Sequence, residues 1–432
     1  MTAKTTTKNS ARRVLFASLA GTTIEFFDFY IYATAAVLVF PKLFFPGSNP
    51  TTTTLESLAT FALAFIARPF GAALFGHFGD RIGRKATLVA ALLTMGCSTF
   101  AIGLLPGYDS IGIWAPMLLA LLRFGQGLGL GGEWGGAVLL ATENAPKNKK
   151  AWYGMFPQLG APLGFIFSTG IFLLLGKMLT DEQFLSFGWR IPFIASAILV
   201  GLGLYVRLKL IETPAFLNVL EKNERVDIPF LHVFKNHSRV LILGTFCCVT
   251  IFLFYYLMTV FSLSWGTSAM NYSRQGYLLT QVSSMLFFTA GILISAALAG
   301  KYERVTVWIY ANIGIILFGF LFKYLFIAGS WDSIIIFHYI GLLLVGLTYG
   351  IIGTALAELF PAQVRYTGAS LAFTLAGILG GSLTPFIATM LAQNYGVDYV
   401  GYLLSGTAII TLIALFLSKT DMKEVDANGP IG

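Results

Sequence analysis

The sequence is poor in charge, cysteine and histidine. Only 11% of its 432 residues are charged, whereas 56% are hydrophobic, and the mean hydropathy is +0.77. Soluble domains carry about 25% charged residues, so a soluble fold is excluded. The three cysteines and four histidines show neither the spacing of a disulfide framework nor that of a metal site. The sequence therefore predicts an integral membrane protein with no metal and no cofactor.

Basic residues exceed acidic ones, giving a formal net charge of +8. Nucleic-acid binding would require these residues to cluster on a water-exposed domain, but they occupy short loops between apolar runs. Such loops set membrane orientation by the positive-inside rule. We therefore expect a lipid bilayer and no nucleic acid as a partner. A Walker phosphate-binding loop and a nucleophile elbow are both lacking, so an enzyme is not expected either.

Long apolar runs bounded by glycine, proline and charge predict twelve membrane-spanning helices. Each run is long enough to cross a bilayer. Most of the 28 Lys and Arg residues fall on one side of this arrangement, so both termini are predicted to be cytoplasmic. The predicted spans lie near 14–40, 55–78, 86–105, 113–142, 151–175, 190–210, 239–264, 278–299, 305–327, 332–357, 367–393 and 398–418.

The longest polar stretch between spans divides them six and six. We interpret 1–210 as an N-terminal six-helix bundle, 211–238 as a cytoplasmic linker, and 239–432 as a C-terminal six-helix bundle with a short cytoplasmic tail. Internal repeats of this kind, with a site at their interface, are typical of alternating-access transporters.

A short motif occurs in both halves and supports the repeat. Glu143 opens Glu-Asn-Ala-Pro and Glu358 opens Glu-Leu-Phe-Pro, and a basic residue follows each glutamate seven positions later, namely Lys150 and Arg365. We predict that Glu143, Glu358 and Arg365 belong to a cytoplasmic gate.

Charged residues inside the predicted spans are the main functional signal. Glu25 and Asp28 lie in the first span at i, i+3 spacing, which predicts one shared helix face. Charge at that depth is costly and usually functional, so Glu25, Asp28 and Glu133 of the fourth span are predicted to couple protons. Counted by depth, Asp28 with Arg123, and Arg68 with Glu133 or Glu25, are reasonable pairs. The alternative to a proton role is that Glu25 with Arg68, or Asp28 with Arg123, form permanent structural ion pairs.

Polar and aromatic residues near these acids are candidates for binding substrate. In the fourth span, Arg123, Gln126 and Glu133 fall within about 80° of one another around a helix. Arg68 of the second span lies at a similar depth to the acids, counted at about 1.5 Å per residue. The predicted substrate-binding residues are Arg123, Arg68, Gln126, Tyr32, Tyr255 and Tyr256.

The loop after the second span predicts a second part of the gate. Its glycines allow close helix approach, and its acid and bases can form a charge cluster that opens and closes; a positive-inside stop signal would explain the bases alone. The predicted gate residues here are Gly76, Asp80, Arg81, Gly83, Arg84 and Lys85. This loop resembles the G-x-x-x-D-R-x-G-R-K loop of the major facilitator superfamily.

Several further stretches resemble the metabolite:proton symporter branch of that superfamily, whose members carry shikimate, α-ketoglutarate, citrate, proline and betaine. They are Glu25-Phe-Phe-Asp28-Phe, Phe65-Ile-Ala-Arg68-Pro, Gly131-Gly-Glu133-Trp-Gly-Gly, Phe187-Gly-Trp-Arg190-Ile-Pro and Val364-Arg365-Tyr-Thr-Gly. The Arg123-x-x-Gln126-Gly pattern is similar to a motif of proton-coupled members. The resemblance implies a monomeric twelve-helix symporter in a bacterial inner membrane, importing a small polar metabolite together with protons.

Two other functions stay open at this point. The stretch Gly160-Ala-Pro162-Leu-Gly164 resembles a motif of superfamily antiporters, which favours proton-driven export or exchange. A membrane sensor derived from a transporter is the other alternative, although the complete motifs argue against lost transport. His338, in the tenth span, is either a proton relay or a histidine satisfied by its neighbours.

Overall fold

The computed structural model describes residues 11–47, 49–82, 84–146, 149–208, 229–361 and 364–427. Its regular structure is helical, and these residues include no β-strand, in agreement with the all-α prediction. The long helices follow the predicted spans: α1 Ala11–Leu38, α2 Pro50–Ile82, α3 Arg84–Leu104, α4 Trp114–Gly131 with Trp134–Glu143, α5 Lys150–Met178, α6 Arg190–Leu208, α7 Ser238–Ser268, α8 Arg274–Ala299, α9 Arg304–Leu325, α10 Trp331–Glu358, α11 Arg365–Asn394 and α12 Val397–Ala427.

Within the described ranges, 11 of these helices are long and apolar enough to cross a membrane. The exception is α4, which turns at Gly132 and Glu133 and so consists of two shorter helices. Large apolar side chains lie exposed along the outer surface, among them Ile198 and Leu317, as expected for helices that face lipid.

Glycine in α4 allows this helix to touch the backbone of α2. A Cβ atom at Gly127 would overlap Ala64, and one at Gly131 would overlap the carbonyl group of Arg68. On α2 itself, a Cβ atom at Gly71 would overlap the backbone of Leu128. Small residues are the usual means of such close approach between membrane helices. The same glycines have low helix propensity, which suits the division of α4.

Helices α1–α6 meet helices α7–α12 mainly where α5 packs on α8 and α2 packs on α11. We call the end of the bundle that holds the short helix Pro229–Asn236 the linker end, and the end that holds Lys42 and Asp181 the far end. The two groups of helices touch at both ends, so the interior is closed on either side.

Hydrogen bonds show this closure directly. At the linker end, the Tyr366 hydroxyl of α11 donates to the carbonyl oxygen of Gly132. At the far end, the Gln275 side-chain amide of α8 donates to the carbonyl oxygen of Gly176 at 2.7 Å.

Part of the predicted gate lies outside the described residues. Gly83 is not described, nor are the side chains of Asp80, Arg81, Arg84 and Lys85. The predicted linker is described only from residue 229, where the helix Pro229–Asn236 begins. Gly76 is described, and it faces Tyr366 and Thr367 of the opposite group of helices, with 3.8 and 3.7 Å from a Cβ atom built on it to their nearest side-chain atoms.

We predict that Gly131→Ala destabilises the protein, because its new methyl group meets the Arg68 backbone, which cannot give way as a flexible side chain would. Overpacking of this kind costs about 1–3 kcal/mol. Gly201→Ala in α6 is the matched control, since nothing lies within 4 Å of its Cβ position. The measurement is the thermal unfolding midpoint of Gly131→Ala and of Gly201→Ala in detergent. Equal midpoints for the two variants would contradict the packing argument.

Candidate functional site

A cavity lies between the two groups of helices, midway along them. It offers about 30 Å³ of open space, room for about two water molecules. A metabolite does not fit, so this is a closed form that has to widen for binding. The lining residues are Glu25, Phe26, Tyr30, Arg68, Ala161, Ile251, Phe252, Tyr255, Tyr256, Phe288, Val345, Tyr349 and Phe373.

Two charged residues, Glu25 of α1 and Arg68 of α2, are among the described lining residues. Their side chains are 3% and 5% exposed, and each lies in the electrostatic field of the other. The Arg68 guanidinium also stacks over the rings of Phe29 and Phe65, at 4.8 and 4.7 Å from the ring centres. Oε2 of Glu25 has no hydrogen-bond partner among the described residues. The cavity therefore combines an acid with unused acceptor capacity and a base held by aromatic rings.

Asp28 points away from this cavity, although it lies only three residues after Glu25. It is fully buried beside the hydroxyl groups of Thr99 in α3 and Ser196 in α6. The two acids lie only about 60° apart around α1, as their spacing predicts, yet they have different neighbours.

Arg123 does not pair with Asp28, which corrects the predicted ion pair. Its Nη1 donates to Oε1 of Gln126 at 2.9 Å, and Nε2 of Gln126 donates to Thr99 at 2.8 Å. The guanidinium lies over the ring of Tyr32 at 3.9 Å. A chain of polar groups thus runs from Arg123 through Gln126 to Thr99 and ends beside Asp28.

The predicted substrate-binding residues therefore fall into two groups. Arg68, Tyr255 and Tyr256 line the cavity. Arg123, Gln126 and Tyr32 form a buried cluster behind it, and the Tyr32 hydroxyl shares a 2.7 Å hydrogen bond with Thr60. Phe29 lies between the groups, because Arg123 stacks over this ring at 4.4 Å as Arg68 does.

Glu133 pairs with Arg207 near the end of α6, rather than with Arg68. Both side chains are buried, and Nη1 of Arg207 also donates to the carbonyl oxygen of Leu88 at 2.6 Å. Arg207 lies in the last turn of α6, and its long side chain carries the guanidinium back into the protein.

Residues of the opposite half complete the cavity, among them Tyr349 and Phe373, which were not predicted from the sequence. Phe373 stacks on Trp134 with ring centres 3.7 Å apart and an interplanar angle of 2°. Trp134 donates to Gln158 at 3.2 Å, and Gln158 donates to the carbonyl oxygen of Tyr349 at 3.0 Å. The signal in the sequence that could have indicated this contact was Gln158, a polar residue among the apolar residues of the fifth span.

The described gate residues Glu143, Glu358 and Arg365 line a second cavity, of about 210 Å³, at the linker end. Glu143 and Lys150 line it from one half, and Glu358 and Arg365 from the other. Glu358 forms an ion pair with Arg304 of α9. The repeated motif thus brings its two copies to one place, as a gate requires.

His338 is held by neighbours within the C-terminal half. Its Nδ1 lies 2.8 Å from the carbonyl oxygen of Ile334, and its Nε2 lies 3.2 Å from the Ser262 hydroxyl. Because both ring nitrogens have partners and the residue does not line the central cavity, the geometry favours the satisfied histidine over the relay.

Residues 13–240 match the protein family described as "Sugar (and other) transporter". The inner membrane metabolite transport protein YhjE of Escherichia coli (strain K12) is 55% identical over 95% of this chain and 94% of its own length. The shikimate transporter of Escherichia coli (strain K12) is 36% identical over 95% of both chains. These matches confirm the predicted resemblance.

Among solved structures, the partially occluded inward-open conformation of the xylose transporter XylE from E. coli matches with a TM-score of 0.73. It covers 95% of this chain and 99% of that chain at 14% sequence identity, which shows the shared fold. The predicted localisation, a multi-pass protein of the bacterial inner membrane, is confirmed by the YhjE match together with the apolar helices. Since more than half of the chain matches the family and nearly all of it matches transporters, the chain belongs to the sugar (and other) transporter family of the major facilitator superfamily and is a transporter rather than an enzyme.

Proposed function

We propose that the chain is a monomeric proton-coupled symporter that imports a small carboxylate-bearing or zwitterionic metabolite by alternating access. Twelve membrane-spanning helices, both termini in the cytoplasm, and bundles 1–210 and 239–432 joined by the linker 211–238 are part of this proposal. The observation that carries it is the closed central cavity, in which Glu25 and Arg68 face the same water-sized space between the two halves. A closed site between two repeated bundles suits a substrate that enters from one side and leaves on the other.

The chemistry of the cavity supports a substrate with a carboxylate. Arg68 offers a planar, permanently charged donor that suits a carboxylate, and the rings around it exclude water and strengthen the contact. The tyrosines and phenylalanines also suit a cationic group, which would sit near Glu25 in a zwitterion. The relative named as a shikimate transporter supports the same class, because shikimate is a carboxylic acid.

Asp28 and Glu25 are the proposed proton carriers. Asp28 is fully buried beside the hydroxyl groups of Thr99 and Ser196, where an ionised carboxylate is costly to keep away from water. Entry of water during opening would let it ionise. Glu25 lies in the cavity itself, so its proton can exchange with the side to which the cavity opens. Glu133, paired with Arg207, is a less suitable carrier.

We predict that Asp28→Asn abolishes accumulation driven by an inward proton gradient, because the amide cannot release a proton, while exchange of substrate at equal pH continues. Glu25→Gln is expected to do the same. The measurement is uptake into liposomes of labelled shikimate, α-ketoglutarate, citrate, proline and betaine. Glu56→Gln serves as the control, since Glu56 is an exposed acid on α2. Gradient-driven accumulation by Asp28→Asn and Glu25→Gln at the native level would assign both acids a structural role.

Replacing Arg68 is expected to weaken substrate binding selectively. A hydrogen bond to a charged group contributes about 1.5–3 kcal/mol, so Arg68→Gln should raise KM about 10-fold to 100-fold. The matched variant Arg123→Gln, at a residue that does not line the cavity, should change the maximal rate more than KM. Concentration-dependent exchange kinetics separate the two effects. Equal KM values for native protein and Arg68→Gln would remove Arg68 from the binding site.

Alternating access predicts a cross-link that stops transport. A Cβ atom at Gly154 of α5 lies 3.8 Å from that of Thr354 in α10, which suits a disulfide. In a Cys97→Ser background, Gly154→Cys with Thr354→Cys should bridge under mild oxidation, and uptake should fall to background and return with reductant. The single Gly154→Cys and Thr354→Cys variants, oxidised in the same way, are the controls. Full uptake by the cross-linked protein would exclude opening at the linker end.

A further inference from the structure

Arg207 is a buried cation that lies between two acids. It is 5% exposed, it forms an ion pair with Glu133, and it donates to the carbonyl oxygen of Leu88 at 2.6 Å. The arginine thereby ties α6 to α4 and α3. A cation so deeply buried needs a compensating charge, which Glu133 supplies.

The same guanidinium lies against α1, one turn before Glu25. A Cβ atom at Gly21 would lie 3.0 Å from Nη2 of Arg207, so a larger residue there would crowd the guanidinium. Gly21 and Glu25 are neighbours on the helix surface, because they are four residues apart. Glu25 accordingly lies in the electrostatic field of Arg207 as well as that of Arg68.

Glu133 occupies the turn at which α4 divides. Its neighbour Gly132 accepts the hydroxyl hydrogen bond of Tyr366 from the opposite half, and its other neighbour Trp134 stacks on Phe373, also from that half. A residue that holds Glu133 in position therefore also holds Gly132 and Trp134, two residues that contact the opposite half at the linker end.

We propose that Arg207 is a positioning residue that couples the charge of Glu25 to closure of the linker end. This inference rests on the proposed function. While Glu25 holds a proton, Arg207 keeps its ion pair with Glu133, and the turn in α4 stays in place to accept the Tyr366 hydrogen bond. When Glu25 releases its proton to water in the cavity, the carboxylate competes for the guanidinium, the Glu133 pair weakens, and the closed surface loosens.

Among the described residues, the other groups that face Glu25 form no ion pair with Glu133. They are Arg68 from α2, Tyr30 on α1 itself, Tyr255 and Tyr256 from α7, and Tyr349 from α10, and all of them line the cavity. Arg207 is the member of this environment that also contacts Glu133. A change in the charge of Glu25 is thus passed on to the turn in α4 through Arg207.

Spin labels at Lys149 and Lys301 test the coupling. Both are exposed at the linker end, on opposite halves, and can be replaced by labelled cysteines in a Cys97→Ser background. Double electron–electron resonance then measures the closed fraction of the protein in liposomes. In the native background we expect the closed-to-open ratio to fall about fivefold or more between about pH 5.5 and about pH 8.

Arg207→Gln should make this ratio independent of pH. Arg190→Gln is the matched control: Arg190 lies on the same helix and also bonds backbone carbonyl groups, those of Gly103 and Leu105, but does so at the far end. It should leave the pH dependence intact. If Arg207→Gln alone fails to fold, Arg207→Gln with Glu133→Gln removes both buried charges and should show the same loss.

The outcomes separate this inference from the proposed function. A pH-dependent ratio that persists in Arg207→Gln, or in the double variant, overturns the role of Arg207 and leaves symport standing. A native ratio that does not respond to pH overturns the coupling of Glu25 to closure, and gradient-driven uptake then decides whether symport itself survives.

Discussion

The cost of holding charge away from water shapes the interior of this protein. The buried charged groups are stabilised in several ways: Arg68 stacks over aromatic rings, Glu133 pairs with Arg207, and Asp28 lies beside hydroxyl groups. An unpaired buried charge would cost several kcal/mol, a large part of the stability of a folded protein. These arrangements can therefore change only when water enters or a proton moves. Opening, binding and protonation are linked for that reason.

Rarity of charge made part of this site predictable. In a chain with 11% charged residues, Glu25, Asp28, Arg68 and Arg123 stand out within apolar runs, and the structure buries all four. Helix content and the positions of the spans were equally accessible, because apolar runs of bilayer length can hardly form anything else in lipid.

The ion-pair partners of these buried residues could not be predicted in the same way. Depth and helix angle place a residue only to within a turn, whereas an ion pair depends on which neighbouring helix lies opposite. Glu133 therefore meets Arg207 rather than Arg68. The division of α4 was missed because glycine both weakens a helix and permits close packing, and the sequence alone does not say which effect prevails. Tyr349 and Phe373 were missed because aromatic residues are common throughout the chain.

Three hydrogen bonds between the two halves share one chemical feature. Tyr366, Gln158 and Gln275 each donate from a side chain to a main-chain carbonyl oxygen across the interface. Every residue carries such an acceptor. These hydrogen bonds therefore do not depend on which residue accepts them. Each is worth only about 0.5–1.5 kcal/mol against water, so thermal motion can release them one by one. Evolution could thus have altered the lining of the cavity, and with it the cargo, while the means of closing it stayed the same.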